Sequence, residues 1–478
     1  MNEWKPNLKR YPHFDKYLPE EEILRIVSDP QRVAANSFFP FILYDQITER
    51  FGRTSKGRPI RYAARRDAYI FSYYRHVLSA LYEEKLQKLG ISDHPIAYRK
   101  IPVQASSNIG KCNIHFAKES FIKILEMGSC YAIALDISGY FESLDHSKLE
   151  LLWIELLNMK ELPADHKAVF NAITKYAVVD RDQCYERLGY IGEVEVNGIK
   201  KRGFTINPRA IPMQLCSMKD FRDKICGADK NYPKLIKQNK DNFGIPQGSP
   251  MSDLLANIYL INFDKEMSDF SRKIGAYYRR YSDDILLICP AAPEMLCMAI
   301  DKIKSCIQKS GDHLQIKDSK TNITQFSIGC GTLISTTIQP SNKQKPFEYL
   351  GFAFDGYVVK LRDSTTSKYY RKMTFGIRKE AENLVARYPG KTPEEIVERA
   401  NLIPLYQQYG RIDEFNNSSS YEEWNFWTYT KRSADIMQPL NNIILHQLRN
   451  HKKKIVSLLE QEVEKQFVRR LEKQMKII

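Results

Sequence analysis

Tyr277, Tyr278 and Tyr281 on one side, and Ile285, Leu286, Leu287 and Ile288 on the other, enclose Ser282, Asp283 and Asp284. Aromatic and β-branched runs around a short polar triplet predict a β-hairpin with the two acids at its turn. A hairpin tip can hold both carboxylates near one point. Like charges at such range raise each other's pKa and destabilise the fold unless a cation sits between them. Hard oxygen ligands without a matching His or Cys cluster favour Mg²⁺. A Ser-Asp-Asp triplet is equally an ordinary polar turn, and from this stretch alone both readings stand.

A second acid narrows the choice. Tyr131, Ala132, Ile133, Ala134 and Leu135 are apolar on both faces, as in a strand at the centre of a covered sheet, and they lead into Asp136 and then Tyr140 and Phe141. An acid at a strand end is either a cap or a ligand. Two-metal phosphoryl transfer needs carboxylates from separate elements to converge on ions ~3.5–4 Å apart. Asp136 with Asp283 meets that need. Between them, Gly244, Pro246, Gly248 and Pro250 make a loop that leads into a helix after Ser252, where Leu254, Leu255, Ile258, Tyr259 and Phe263 share one face. Such a loop brings backbone amides close to a phosphate or base pair, or is a plain turn.

Helices are expected over 19–28, 67–89, 115–127 and 293–310, with Asp67 as an N-cap and Gly90 as a stop for the second. Phe38, Phe39, Phe41, Ile42 and Leu43 suggest a buried strand or packing segment, and further strands are expected around Leu314 and Tyr349. Residues 151–242 read as mixed, with turns around Gly189, Gly192 and Gly198. Beyond 364 the pattern is mainly helical, broken by a polar loop at 416–420. Ile444, Leu448, Ile455, Leu459, Val463, Phe467, Leu471 and Met475 suggest one apolar stripe on a final helix, suited to its own domain or to a partner helix.

A chain of 478 residues, 43% hydrophobic and 12% aromatic, is long enough for two to four folded units. The formal charge of +15 points to a polyanionic partner. One basic cluster holds Arg53, Lys56, Arg58, Arg61, Arg65 and Arg66, and another Lys452, Lys453, Lys454, Arg469 and Arg470. The 28 Tyr and 23 Phe supply rings on which bases stack. No run reaches the ~18–20 apolar residues of a membrane span, and the first residues lack a signal peptide's apolar core, so no membrane partner and a cytoplasmic location are expected. The nine Cys are odd in number and lack CxxC spacing, which argues against a disulfide framework or zinc ribbon.

Asp136 with its aromatic pair, GIPQGSP at 244–250, YSDD at 281–284, Lys320 in LQIKDSKT and FEYLGF at 347–352 follow the order of reverse transcriptase motifs. KGRPIRYAARRDAYI, from 56 to 70, resembles the fingers motif of the bacterial retron and group II intron branch. This resemblance implies an α+β fold with right-hand polymerase fingers and palm plus an α-helical C-terminal domain. It implies an RNA-directed DNA polymerase that uses two Mg²⁺ ions, or Mn²⁺ in their place, with dNTPs, an RNA template and a cDNA product. By the same resemblance Asp136 and Asp283 look like metal ligands, with Asp284 as the supporting third carboxylate. Lys320 is similar to the palm lysine that protonates or orients the pyrophosphate. Phe141 looks like the steric gate against a ribose 2′-hydroxyl, Gln247 a contact of the incoming nucleotide, and Arg58 and Arg61 partners of its triphosphate.

The implied layout is an N-terminal segment and fingers over 1–110, a palm over 111–363 with an insertion near 155–243 and a primer-grip hairpin near 347–356, and the helical region 364–478. The long spacing from Asp136 to Gln247 motivates the insertion. Without a recognisable retron thumb signature, maturase segment or RNase H acid set, the chain looks most like the defence-associated bacterial enzymes that copy a dedicated non-coding RNA. A second copy of the chain or a partner defence protein stands as a further expected partner. The alternatives are a retron-like or intron-type enzyme without a defence role, an RNA-copying RNA polymerase, and a non-catalytic RNA-binding scaffold on the same palm.

Overall fold

The β-prone runs form strands where their composition predicts them: Tyr277–Tyr281 and Asp284–Pro290 make the acid hairpin, and Cys130–Ser138 the apolar strand that carries Asp136. The computed structural model describes residues 3–48, 56–104, 107, 109–196, 198–329, 331–341, 344–410 and 425–475. Arg53, Cys330 and the loop 416–420 lie outside these residues, as do the side chains of Lys56 and Lys452. The chain is α+β, with mostly antiparallel strand pairs, and divides into two units. One comprises Met1–Arg99, Leu135–Leu287 and Leu296–Lys320; the other comprises Lys100–Ala134, Ile288–Met295 and Thr321–Ile478. No helix is long and apolar enough to cross a membrane among the described residues.

In the first unit, Lys56–Tyr62, Phe41–Thr48, Ala177–Asp180 and Lys237–Gln238 lie side by side in that order. The first two are antiparallel in a register running from Ile42 opposite Tyr62 to Thr48 opposite Lys56. Segment 155–243, expected as an insertion, thus supplies two strands of this sheet, and its turn-rich stretch forms a second hairpin, Ile191–Val196 with Ile199–Phe204. The helix Arg65–Leu89 stacks Phe71 on Phe41 of the sheet, and its buried Phe71, Tyr74, Leu78, Tyr82 and Leu86 recur at helical spacing. Gly90 ends it with φ 65°, a left-handed cap that glycine adopts without steric cost.

Asp67 does not cap that helix. The helix starts two residues earlier, and the Asp67 carboxylate accepts from Phe39 N at 2.8 Å and Asn36 Nδ2 at 3.1 Å instead. Burial pushes its pKa up to about 7, against the pull of Arg66 and these hydrogen bonds. Partners from another segment outcompete the local cap, which spacing along one helix cannot disclose.

In the second unit, Asn322–Gly329 pairs with Thr332–Gln339 and with the first residues of Cys130–Ser138, from Asn322 opposite Ala134 to Phe326 opposite Cys130. Phe347–Tyr349, Phe352–Phe354 and Val359–Leu361 form a three-stranded antiparallel sheet. Helices follow, the longest being Asp363–Arg387 and His451–Met475, and Met373, Ile377, Leu384, Ile455, Leu459 and Val463 join in their core. The expected final stripe is broken. Ile444 and Leu448 are buried but precede the helix, around the turn Leu445–Leu448, while Leu471 and Met475 are 42% and 69% exposed. The apolar face is spent on the helical core up to Phe467 and is not continuous beyond it.

Candidate active site

Asp136 lies inside its strand, two residues before the end, and not at the terminus expected from sequence. Alternation along the strand buries Leu135 and Ile137 and leaves Asp136 on the less buried face, its side chain 14% exposed. The backbone N–H of Ile137 donates to the carbonyl of Asp283 at 3.0 Å, so the acid turn is tied directly beside Asp136. The hairpin turns on Ser282 and Asp283, and Ser282 holds φ 60°, uncommon for a residue other than glycine. Asp284 opens the next strand.

Lys320 joins the two acids from far along the chain. Gln315–Ile316 pairs with Ile137 and Ser138, Lys317 N donates to Asp136 O at 2.9 Å, and the turn Asp318–Lys320 then returns the ammonium to the strand. Its Nζ lies 2.6 Å from both carboxylate oxygens of Asp136. Burial raises the pKa of Asp283; the Asp136 charge adds to the rise, while its own backbone N–H, Lys320 and Ser282 oppose it. The cluster therefore carries a carboxylate whose charge is under-compensated.

Among the described residues, no group of three or more His, Cys, Asp and Glu side chains could hold a metal ion. Mg²⁺ needs less from a protein: one or two carboxylates, completed by water and substrate phosphates. Asp136 and Asp283 fit that donor set, being hard, adjacent and mutually repelling.

The residues expected to meet a nucleotide form a connected set. After Gly139 the chain makes the turn Tyr140–Ser143, which buries Tyr140 and leaves Phe141 half-buried. Ile245 N donates to Phe141 O at 2.8 Å and Gly244 N to Leu144 O at 2.8 Å, fixing the glycine and proline loop to that turn. Arg61 N donates to Gln247 O at 2.9 Å. Gly248 is required there: its φ is 112°, and a Cβ would stand 2.6 Å from Arg61 O. The Arg61 guanidinium pairs with Glu142 at 3.3 Å and lies over the Tyr176 ring. Arg58 is exposed on the same strand. Arg65, counted in the basic cluster by sequence, is buried against Asp15 and unavailable to an external anion.

Tyr98 had no sequence signal. It holds φ 60°, is 45% exposed, and packs toward Tyr281 with ring centroids 6.4 Å apart. Burial raises its pKa, Ser282 lowers it, and the charges of Asp283 and Arg58 both reach it. Arg75, bidentate to Asp253 at 2.8 and 3.0 Å, also donates to Tyr98 O, and Asn257 Nδ2 holds Ala97 O at 2.8 Å. A strained backbone kept by two long-range hydrogen bonds has no local sequence signature.

Residues 214–354 match the family described as reverse transcriptase (RNA-dependent DNA polymerase), a span that contains Gln247, Asp283, Asp284 and Lys320. The matched span is under a third of the chain and is similar to reverse transcriptase domains. Among solved structures, a Candida tropicalis apo telomerase truncated from the C-terminal domain matches with TM-score 0.38 and 11% identity over 70% of this chain. The Candida albicans telomerase in complex with a fragment of telomeric RNA matches with TM-score 0.38 and 10% identity over 94% of this chain, and the Candida tropicalis apo telomerase with 0.35 and 13% over 90%. The chain covers 59%, 66% and 69% of those three chains.

Proposed function

We propose that the protein is an RNA-directed DNA polymerase that extends a primer on an RNA template with dNTPs. The observation that carries this reading is the pairing of Asp136 and Asp283 through Ile137 N and Asp283 O, in a chain whose residues 214–354 match reverse transcriptases. Two Mg²⁺ ions, or Mn²⁺, held by Asp136 and Asp283 with Asp284 in support, would supply nucleophile activation and charge neutralisation. Phe141, half-buried beside the acid strand, excludes a ribose 2′-hydroxyl. Gln247 meets the incoming sugar and base. Arg61 exchanges Glu142 for the triphosphate, and Arg58 adds a second cation. Lys320 is close enough to the acids to leave Asp136 for the pyrophosphate and protonate it.

The finer assignment is a bacterial defence-associated enzyme of the cytoplasm that copies a dedicated non-coding RNA. In this reading 1–110 serves as fingers, 111–363 as palm with the primer grip near 347–356, and 364–478 binds RNA or a second protein. The likeness of residues 56–70 to the fingers motif of the bacterial retron and group II intron branch supports the bacterial assignment, and the basic, aromatic-rich composition supports a nucleic-acid partner.

The test is incorporation on a defined RNA template and primer with Mg²⁺, comparing dNTPs with NTPs. Incorporation of dNTPs that EDTA abolishes and Asp283→Ala with Asp284→Ala removes is the expected result. Equal use of NTPs would replace the reading with an RNA-copying enzyme, and no incorporation with either would leave a non-catalytic scaffold. Sequencing of copurifying nucleic acid should yield one reproducible small RNA with complementary DNA; a random RNA sample would sink the dedicated template.

A further inference from the structure

Directly beneath the acid turn lies a second set of charges that the proposed chemistry does not use. Arg280 and Asp264 are both 0% exposed and bidentate, with Nε to Oδ1 at 2.8 Å and Nη2 to Oδ2 at 2.6 Å. The Tyr278 hydroxyl donates to Asp264 Oδ1 at 2.6 Å. The remaining guanidinium nitrogen, Nη1, points the other way. It donates to Ser282 O at 3.0 Å and to Asn257 Oδ1 at 3.2 Å.

Ser282 O belongs to the peptide plane that enters Asp283, and Asp283 O to the plane that leaves it. The first is held by Arg280 and the second by Ile137 N. With both flanking planes pinned, Asp283 keeps only its side-chain torsions, and the left-handed Ser282 is kept in a conformation it would not favour alone. Apolar residues of similar volume could fill the same space with equal or greater stability, so a fully buried ion pair is weak evidence for a purely stabilising role.

We propose that Arg280 is a positioning residue, which sets the Asp283 carboxylate beside Asp136 by holding the carbonyl of Ser282. The proposal rests on Asp283 being a cation ligand, and its test must therefore read the cation as well as turnover. Lysine keeps the charge opposite Asp264 but lacks the planar fork that spans Asp264 and Ser282 O together. Arg280→Lys therefore separates the two roles. A second variant, Arg280→Met with Asp264→Leu and Tyr278→Phe, removes the buried ion pair and its phenol without leaving a lone charge.

Mn²⁺ binding is measured by the loss of the free-ion paramagnetic resonance signal, with Asp283→Asn defining the site, alongside thermal melting and kcat and KM for dNTP. Both folded variants should bind Mn²⁺ about tenfold or more weakly and lose kcat by a similar factor, as when a partner orienting a ligand is removed. KM for dNTP should change far less. Wild-type Mn²⁺ affinity and kcat in either folded variant would overturn the proposal, as would Mn²⁺ binding by the wild type that ignores Asp283→Asn. Should the wild type bind Mn²⁺ through Asp283 yet incorporate no dNTP, the polymerase reading fails, and the affinities alone decide the role of Arg280.

Discussion

Asp136 and Asp264 each face a cation brought from elsewhere in the chain, Lys320 and Arg280, but the two pairs obey opposite rules. Lys320 is half exposed and its partner 14% exposed, whereas Arg280 and Asp264 see no solvent. Below the turn the charges are satisfied: the guanidinium has a carboxylate, a carbonyl and an amide oxygen, and the carboxylate has a phenol as well. At the tip, one half-exposed ammonium faces Asp136, and Asp283 is left with its pKa raised. A compensated buried network gives position. An under-compensated, accessible one gives capacity for a ligand of opposite charge.

The largest expected effect comes from removing the tip. Asp136→Asn and Asp283→Asn should each lower dNTP incorporation by at least about two orders of magnitude, measured as kcat/KM on an RNA template. Asp283→Asn should nevertheless melt higher than the wild type at neutral pH. A raised folded-state pKa means stability that is present at low pH and lost as pH rises through it, so the gain from asparagine should grow from acid toward neutral pH. Calorimetry across that range that finds no gain would contradict the picture of an under-compensated acid.

The contrast between the two cations is the next test. Arg280→Met alone leaves Asp264 buried and unpaired and should cost about 3–5 kcal/mol of unfolding free energy. Lys320→Met, at a half-exposed site, should change it by no more than about 1 kcal/mol while lowering kcat. Comparable losses in denaturant titrations would erase the distinction drawn between the pairs.

Smaller changes are expected around the nucleotide. Phe141→Ala should narrow the preference for dNTPs over NTPs by about 10- to 100-fold, read from competing incorporation; an unchanged ratio would remove Phe141 as the gate. Exposed Arg58 should matter least. Arg58→Gln should raise KM for dNTP by about fivefold at low salt, an effect that fades as ionic strength rises.

How much of this was legible beforehand depends on the range of the interaction. The helix expected over 293–310 forms as Pro293–Ser310, and the acid hairpin lies where its flanks placed it, because both signals repeat within a few residues. The strand that carries Asp136 is legible for the same reason. Asp67 departs from the capping role its position suggests because Phe39 N and Asn36 Nδ2 take its carboxylate, and the final helix departs from one continuous stripe because its last apolar residues have no core to meet. Arg280 stood unnoticed within the hairpin's first strand, where a cation before a polar turn looks like any solvated residue.

Residue order alone therefore determined the chemistry on offer: which acids, which aromatic pair, which glycine loop, and the strands and helices that carry them. Those properties follow from local periodicity and side-chain type. Only the tertiary structure decided which charges meet. Lys320 reaches Asp136 from 184 residues away, Arg280 turns inward to Asp264 and the Ser282 carbonyl, and Arg65 is lost to Asp15. Whether a charge is buried with partners or left facing water depends on neighbours distant in sequence, and that difference separates a support from a site.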